Sequence, residues 1–78
     1  LHVLYGDRFV ARFEPEQDKE RGTLRIKQWW WEPGVTVTDE MRVALKVAFA
    51  AFLRYLEIGE LAVGEAAAAE DTAWLASA

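Results

Sequence analysis

The stretch TLRIKQWWWEPG, residues 23–34, carries an alternating run into three adjacent tryptophans and then stops it. Successive side chains of a strand point to opposite faces, so Leu24, Ile26 and Trp30 are predicted on one face and Arg25, Lys27, Trp29 and Trp31 on the other. Pro33 cannot donate to a ladder and Gly34 permits a sharp turn, which ends the strand. The first face reads as core, with Trp30 enclosed. The second face, two cations beside two indoles, needs a separate explanation.

Towards the N-terminus, LHVLYGDRFVARFEP reads as a hairpin about Gly6-Asp7. Phe9, Ala11 and Phe13 alternate against Arg8, Val10, Arg12 and Glu14, giving it one apolar face. PEQDKERG, residues 15–22, is a polar loop closed by Gly22. Towards the C-terminus, Thr38 followed by Asp39 and Glu40 forms an N-cap with carboxylates in the positive first turn. Met41, Leu45, Ala48, Phe52 and Leu56 then recur at helical spacing, which predicts a helix over residues 39–57 with Gly59 in the left-handed position beyond it. Val43, Val47 and Phe49 widen its apolar surface beyond one stripe. ELAVG, residues 60–64, offers a short fourth strand, and the alanine-rich remainder reads as helical, with Trp74 and Leu75 as its large anchors.

These elements predict an α+β fold: a small antiparallel sheet of three to four strands packed on one long helix, with a short C-terminal helical tail. Residues 1–64 form one domain and residues 65–78 the tail. At 78 residues the chain buries only about 60% of its unfolded surface. Four Trp, four Phe and two Tyr offset that thin core, since each buries roughly 150–250 Å². With no cysteine, disulfide scaffolds, thiolate nucleophiles and Cys-ligated zinc are excluded. The longest apolar run, VALKVAFAAFL, contains Lys46 and falls short of the ~20 residues of a bilayer span, so no membrane partner is expected. The chain starts at Leu1 without a signal-peptide pattern and reads as a segment of a longer protein.

Net charge is −4, unevenly spread: residues 1–31 carry +1, residues 32–56 are neutral and residues 57–78 carry −5. Metal chemistry lacks ligands, because His2 is the single histidine. Glu14, Glu16, Asp18 and Glu20, alternating with Lys19 and Arg21, read as a solvated charge run rather than a general acid and base. Ser77 has no nucleophile elbow around it, and no glycine-rich phosphate loop exists. No catalytic residue, metal or cofactor is therefore assigned.

What remains is the second face: Arg8, Arg12, Arg25, Lys27, Trp29 and Trp31. Guanidinium and ammonium groups meet phosphates while rings stack on bases, which makes these residues candidate DNA contacts. The alternative is a covered face, with the indoles against a neighbouring domain and the bases paired with Glu14 or Glu32. Glu65, Glu70 and Asp71 could also fold back over the bases. Both readings stay open at this stage.

LYGDRFVARFEP, then DKERGTLRIKQWWWEPGVTVT, then an alanine- and phenylalanine-rich helix resembles the C-terminal region of winged-helix DNA-binding proteins related to the crosslink-repair DNA glycosylase YcaQ. The resemblance spans about residues 3–60. Its most specific parts are Gly6-Asp7-Arg8, Arg12, Asp18-Lys19 and residues 24–33. It implies a bacterial, cytoplasmic protein of tandem winged-helix motifs that hydrolyses N-glycosidic bonds of alkylated or crosslinked bases. The family's catalytic Gln-x-Gln motif has no counterpart in Gln17 and Gln28, so catalysis would lie upstream. Implied partners are DNA, through the full-length protein, and neighbouring winged-helix domains. Exposed apolar surface would also serve an oligomer. The competing reading is a structural or protein-interaction module without nucleic-acid contact.

Overall fold

A computed structural model of the chain describes residues 1–76. Ser77 and the last position of the predicted tail lie outside the described residues. The element order is β1 (His2–Tyr5), β2 (Arg8–Asp18), β3 (Thr23–Trp31), α1 (Asp39–Leu56), β4 (Glu60–Val63), α2 (Glu65–Ala68) and a 3-10 turn, Ala73–Ala76. This is the α+β architecture: a four-stranded sheet with one long helix packed on one face. The strands lie in the order β1-β2-β3-β4; the first three are antiparallel, and β4 joins β3 in parallel. A parallel neighbour cannot be reached by a tight turn, so α1 serves as the crossover.

Two bulges decide which side chains meet the helix. In β2, Val3 pairs with Ala11 but Leu4 pairs with Phe9, leaving Val10 as an extra residue. Alternation is broken there: Val10 and Ala11 are both buried, while Phe9, expected in the core, is 56% exposed. In β3, Gln28 pairs with Glu14 and Ile26 with Pro15, so Lys27 is the extra residue. Leu24 and Ile26 face the helix as predicted, but beyond Lys27 the parity inverts, and Trp29 points inward in place of Trp30. The strand also continues where a loop was expected, since β2 runs through Pro15 to Asp18. Pairing with β1 ends before Pro15, and proline is tolerated where a strand lacks a neighbour on one side or faces a bulge.

The core is an aromatic cluster closed by α1. Phe13 lies 5.9 Å from Trp29 in a stacked pair and 5.2 Å from Phe49 edge-on, with Trp29 and Phe49 6.0 Å apart. Ile26, Met41 and Leu45 fill the space around them. Edge and offset contacts of this kind contribute beyond the area they bury.

The capping of α1 follows the sequence at one end and not at the other. Thr38 accepts from the Met41 N–H at 3.2 Å, as an N-cap should. The helix stops at Leu56, and the left-handed residue is Glu57, φ 58°, whereas Gly59 has no positive φ. Farther along, the Gly64 N–H donates to the Ile26 carbonyl at 2.9 Å, and a Cβ at Gly64 would come within 3.1 Å of that oxygen. This close approach favours glycine where the chain turns into α2. Ala67 and Leu75 are buried, and the Thr72 hydroxyl donates to the Ala67 carbonyl at 2.6 Å.

Candidate nucleic-acid interface

The sheet face away from α1 is built by strand parity. His2 and Leu4 of β1, Phe9, Arg12, Glu14 and Glu16 of β2, and Arg25, Gln28 and Trp30 of β3 share it. The bulged Lys27 joins them, reaching Glu14 at 3.6 Å and Glu16 at 3.8 Å. These ion pairs are exposed and worth about 0–1 kcal/mol each. Arg25 forms no ion pair among the described residues.

The face divides along the strands. Its far end mixes Arg25 and Lys27 with Glu14, Glu16 and Asp18. Its near end is a cross-strand row in which His2, Arg12 and Trp30 stand on neighbouring strands. The Arg12 guanidinium lies 5.4 Å from the centroid of the Trp30 ring, which is 42% exposed. Cation and ring attract through the ring quadrupole, by about 0.5–1 kcal/mol at exposed sites. Phe9 sits 5.0 Å from His2 beside this pair. Among the described residues the only carboxylate that pairs with Arg12 is Glu32, at a long 3.9 Å.

Of the six residues singled out in the sequence, this face gathers Arg12, Arg25 and Lys27. Arg8 is exposed but stands elsewhere, lining a groove with Tyr5, Val10, Thr38 and Met41 near the start of α1. Trp29 is 1% exposed and lies in the core, and its indole N–H has no partner among the described residues. Trp31 is partly buried on the same side, where its Nε1 donates to the Glu70 carbonyl at 2.7 Å. The face assignment of the tryptophans is thus corrected: Trp29 and Trp31 face inward and Trp30 outward. Nor does the acidic tail cover the basic residues of the outer face. It runs along the helix side, with Asp71 at 3.4 Å from Arg42 and Arg42 over Trp74 at 5.5 Å.

Phe9 and Trp30 were missed as surface residues, and one signal could have found Trp30. Unbroken alternation would have put Gln28, a polar amide, into the core between Ile26 and Trp30. The polar pair Lys27-Gln28 opposite a proline marks a bulge, because burying an unpaired amide is costly.

The sequence pattern of the family described as DNA glycosylase AlkZ-like matches residues 1–55, from β1 nearly to the end of α1. The chain belongs to the AlkZ-like DNA glycosylase family. Comparison with curated proteins and with solved structures finds no match. Family membership supports a role in DNA repair and an interaction with DNA. Among the described residues no helix is long and apolar enough to cross a membrane, and no group of three His, Asp or Glu could hold a metal ion.

Proposed function

We propose that this chain is an accessory C-terminal module of a longer glycosylase-family protein, adding DNA contacts while catalysis lies upstream. The observation that carries this reading is Arg12 lying over the exposed Trp30 ring on the face that α1 leaves open. A guanidinium already positioned on a flat ring offers charge to a phosphate and a stacking surface to a base at one place. Arg25 and Lys27, on the same face, add phosphate contacts, and Lys27 exchanges two weak carboxylate pairs for them. Winged-helix neighbours and a bacterial, cytoplasmic setting complete the reading, supported by the resemblance of residues 3–60. In this proposal Trp30 takes the place of Trp29 and Trp31, and Arg8 acts from the side.

The test is replacement of Arg12, Arg25 and Lys27 by glutamine in the full-length protein, followed by DNA titration at several salt concentrations. Each lost phosphate contact should flatten the log–log salt dependence by about one unit. Melting temperature should barely move. An unchanged slope with a lowered melting temperature contradicts the reading.

A second reading, a structural or protein-interaction module, is favoured by one observation. Val43 and Val47 are each 64% exposed, and with Tyr55 they line the solvent side of α1 at four- and eight-residue spacing. Apolar surface of this kind commonly meets another protein.

A further inference from the structure

We infer that the near end of the open sheet face binds unpaired DNA bases, with Phe9 and Trp30 as the stacking platforms and Arg12 between them. This rests on the reading of that face as a DNA contact and specifies the form of DNA it takes. Trp30 on β3 stands opposite Arg12 of β2, and Phe9 lies farther along β2, opposite Leu4 of β1. Both rings are exposed, Phe9 at 56% and Trp30 at 42%, whereas Phe13, Phe49 and Trp29 are in the core. Each ring has one polar or cationic neighbour that fixes it, His2 for Phe9 and Arg12 for Trp30.

The geometry selects against a duplex. Side chains that read paired DNA enter a groove from a helix or ribbon, or wedge between base steps from a protruding tip. Phe9 and Trp30 instead lie within a sheet surface, and bases stacked inside a duplex cannot lie down on them. Unstacked bases can, and every base has a π-face, so recognition depends on access rather than sequence. Charge also favours this end. Its carboxylate is Glu32, held by Arg12 at 3.9 Å, while Glu14 and Glu16 stand farther along the strands, engaged by Lys27. With one arginine central to the site, stacking carries more of the affinity than phosphate neutralisation does.

The experiment is an anisotropy titration of the full-length protein with a labelled oligothymidine strand and with the same strand annealed to its complement. Phe9→Ala and Trp30→Ala should each weaken single-strand binding by roughly fivefold to a hundredfold, the range of one lost stacking contact. Duplex binding should stay unchanged, and Trp30→Phe, which keeps a ring, should restore most single-strand affinity. Equal losses on both probes overturn this inference and leave the DNA reading standing, whereas no loss on either overturns this inference together with the DNA contact assigned to Trp30. Failure of the unmodified protein to bind either probe overturns both. Circular dichroism melts of the variants confirm that any loss comes from folded protein.

Discussion

Trp29 and Trp30 are neighbours in sequence with opposite surroundings, and the difference rests on Lys27. Strict alternation from Leu24 assigns Trp30 to the core, and it was the wrong inference for a physical reason: period-2 reasoning holds only while the ladder is unbroken. Leu24 and Ile26 were legible because they precede the bulge; Phe9 and Trp29 were not, because each lies past one. Trp29→Ala should cost about 3–5 kcal/mol, since it empties a site packed by Phe13 and Phe49. Trp30→Ala should cost about 1 kcal/mol or less, the exposed ring losing mainly its contact with Arg12. Urea denaturation of the two variants checks this, and a larger cost at Trp30 would restore the original face assignment.

At the level of elements, α1 was the most legible part of the chain. Its Thr38 cap holds and Met41 and Leu45 are buried as the spacing predicts, but Phe49 continues the buried stripe where Ala48 was expected, and Ala48 is exposed. Its end was less legible. Gly59 marks a chain reversal only by composition, while the left-handed turn falls two residues earlier on Glu57. A non-glycine residue there bears a steric cost, so Glu57→Gly should raise stability by about 0.5–1 kcal/mol. Gly59→Ala should be nearly neutral, as its φ is not positive and a Cβ meets nothing within 4 Å. Thermal melts of both variants measure the pair; the reverse order would place the cap at Gly59. The strand β4 was anticipated but its direction was not, because four residues carry no signal for parallel against antiparallel pairing.

Across the whole molecule, the segment after Gly64 is tied to the sheet and helix by different means. Ala67 and Leu75 are buried, and the Trp31 indole donates to the Glu70 carbonyl, whereas the Arg42–Asp71 pair is exposed. Ending the chain after Gly64 should therefore cost at least about 3 kcal/mol, the scale of uncovering apolar core. Asp71→Asn should cost about 0–1 kcal/mol, as exposed ion pairs do. Denaturant titration compares them, and a truncated chain as stable as the parent would show that residues 1–64 suffice. Sequence alone identified Trp74 and Leu75 as anchors but not what they anchor to, since burial on α1 and β4 is a long-range contact without local pattern.

The functional account requires that DNA meet the open face of the sheet and leave the helix side alone. The four tryptophans report on both sides at once: Trp30 lies on the open face, Trp29 in the core, Trp31 beneath the tail and Trp74 within it, the last two with their indole N–H groups donating to the Glu70 and Asp71 carbonyls. A titration of the ¹⁵N-labelled protein with DNA, following the four indole N–H resonances, distinguishes them in one experiment. With DNA on the open face, the Trp30 resonance shifts in step with binding while Trp29, Trp31 and Trp74 hold still. Saturable DNA binding with Trp30 unmoved, or with the Trp31 and Trp74 resonances shifting instead, would contradict it.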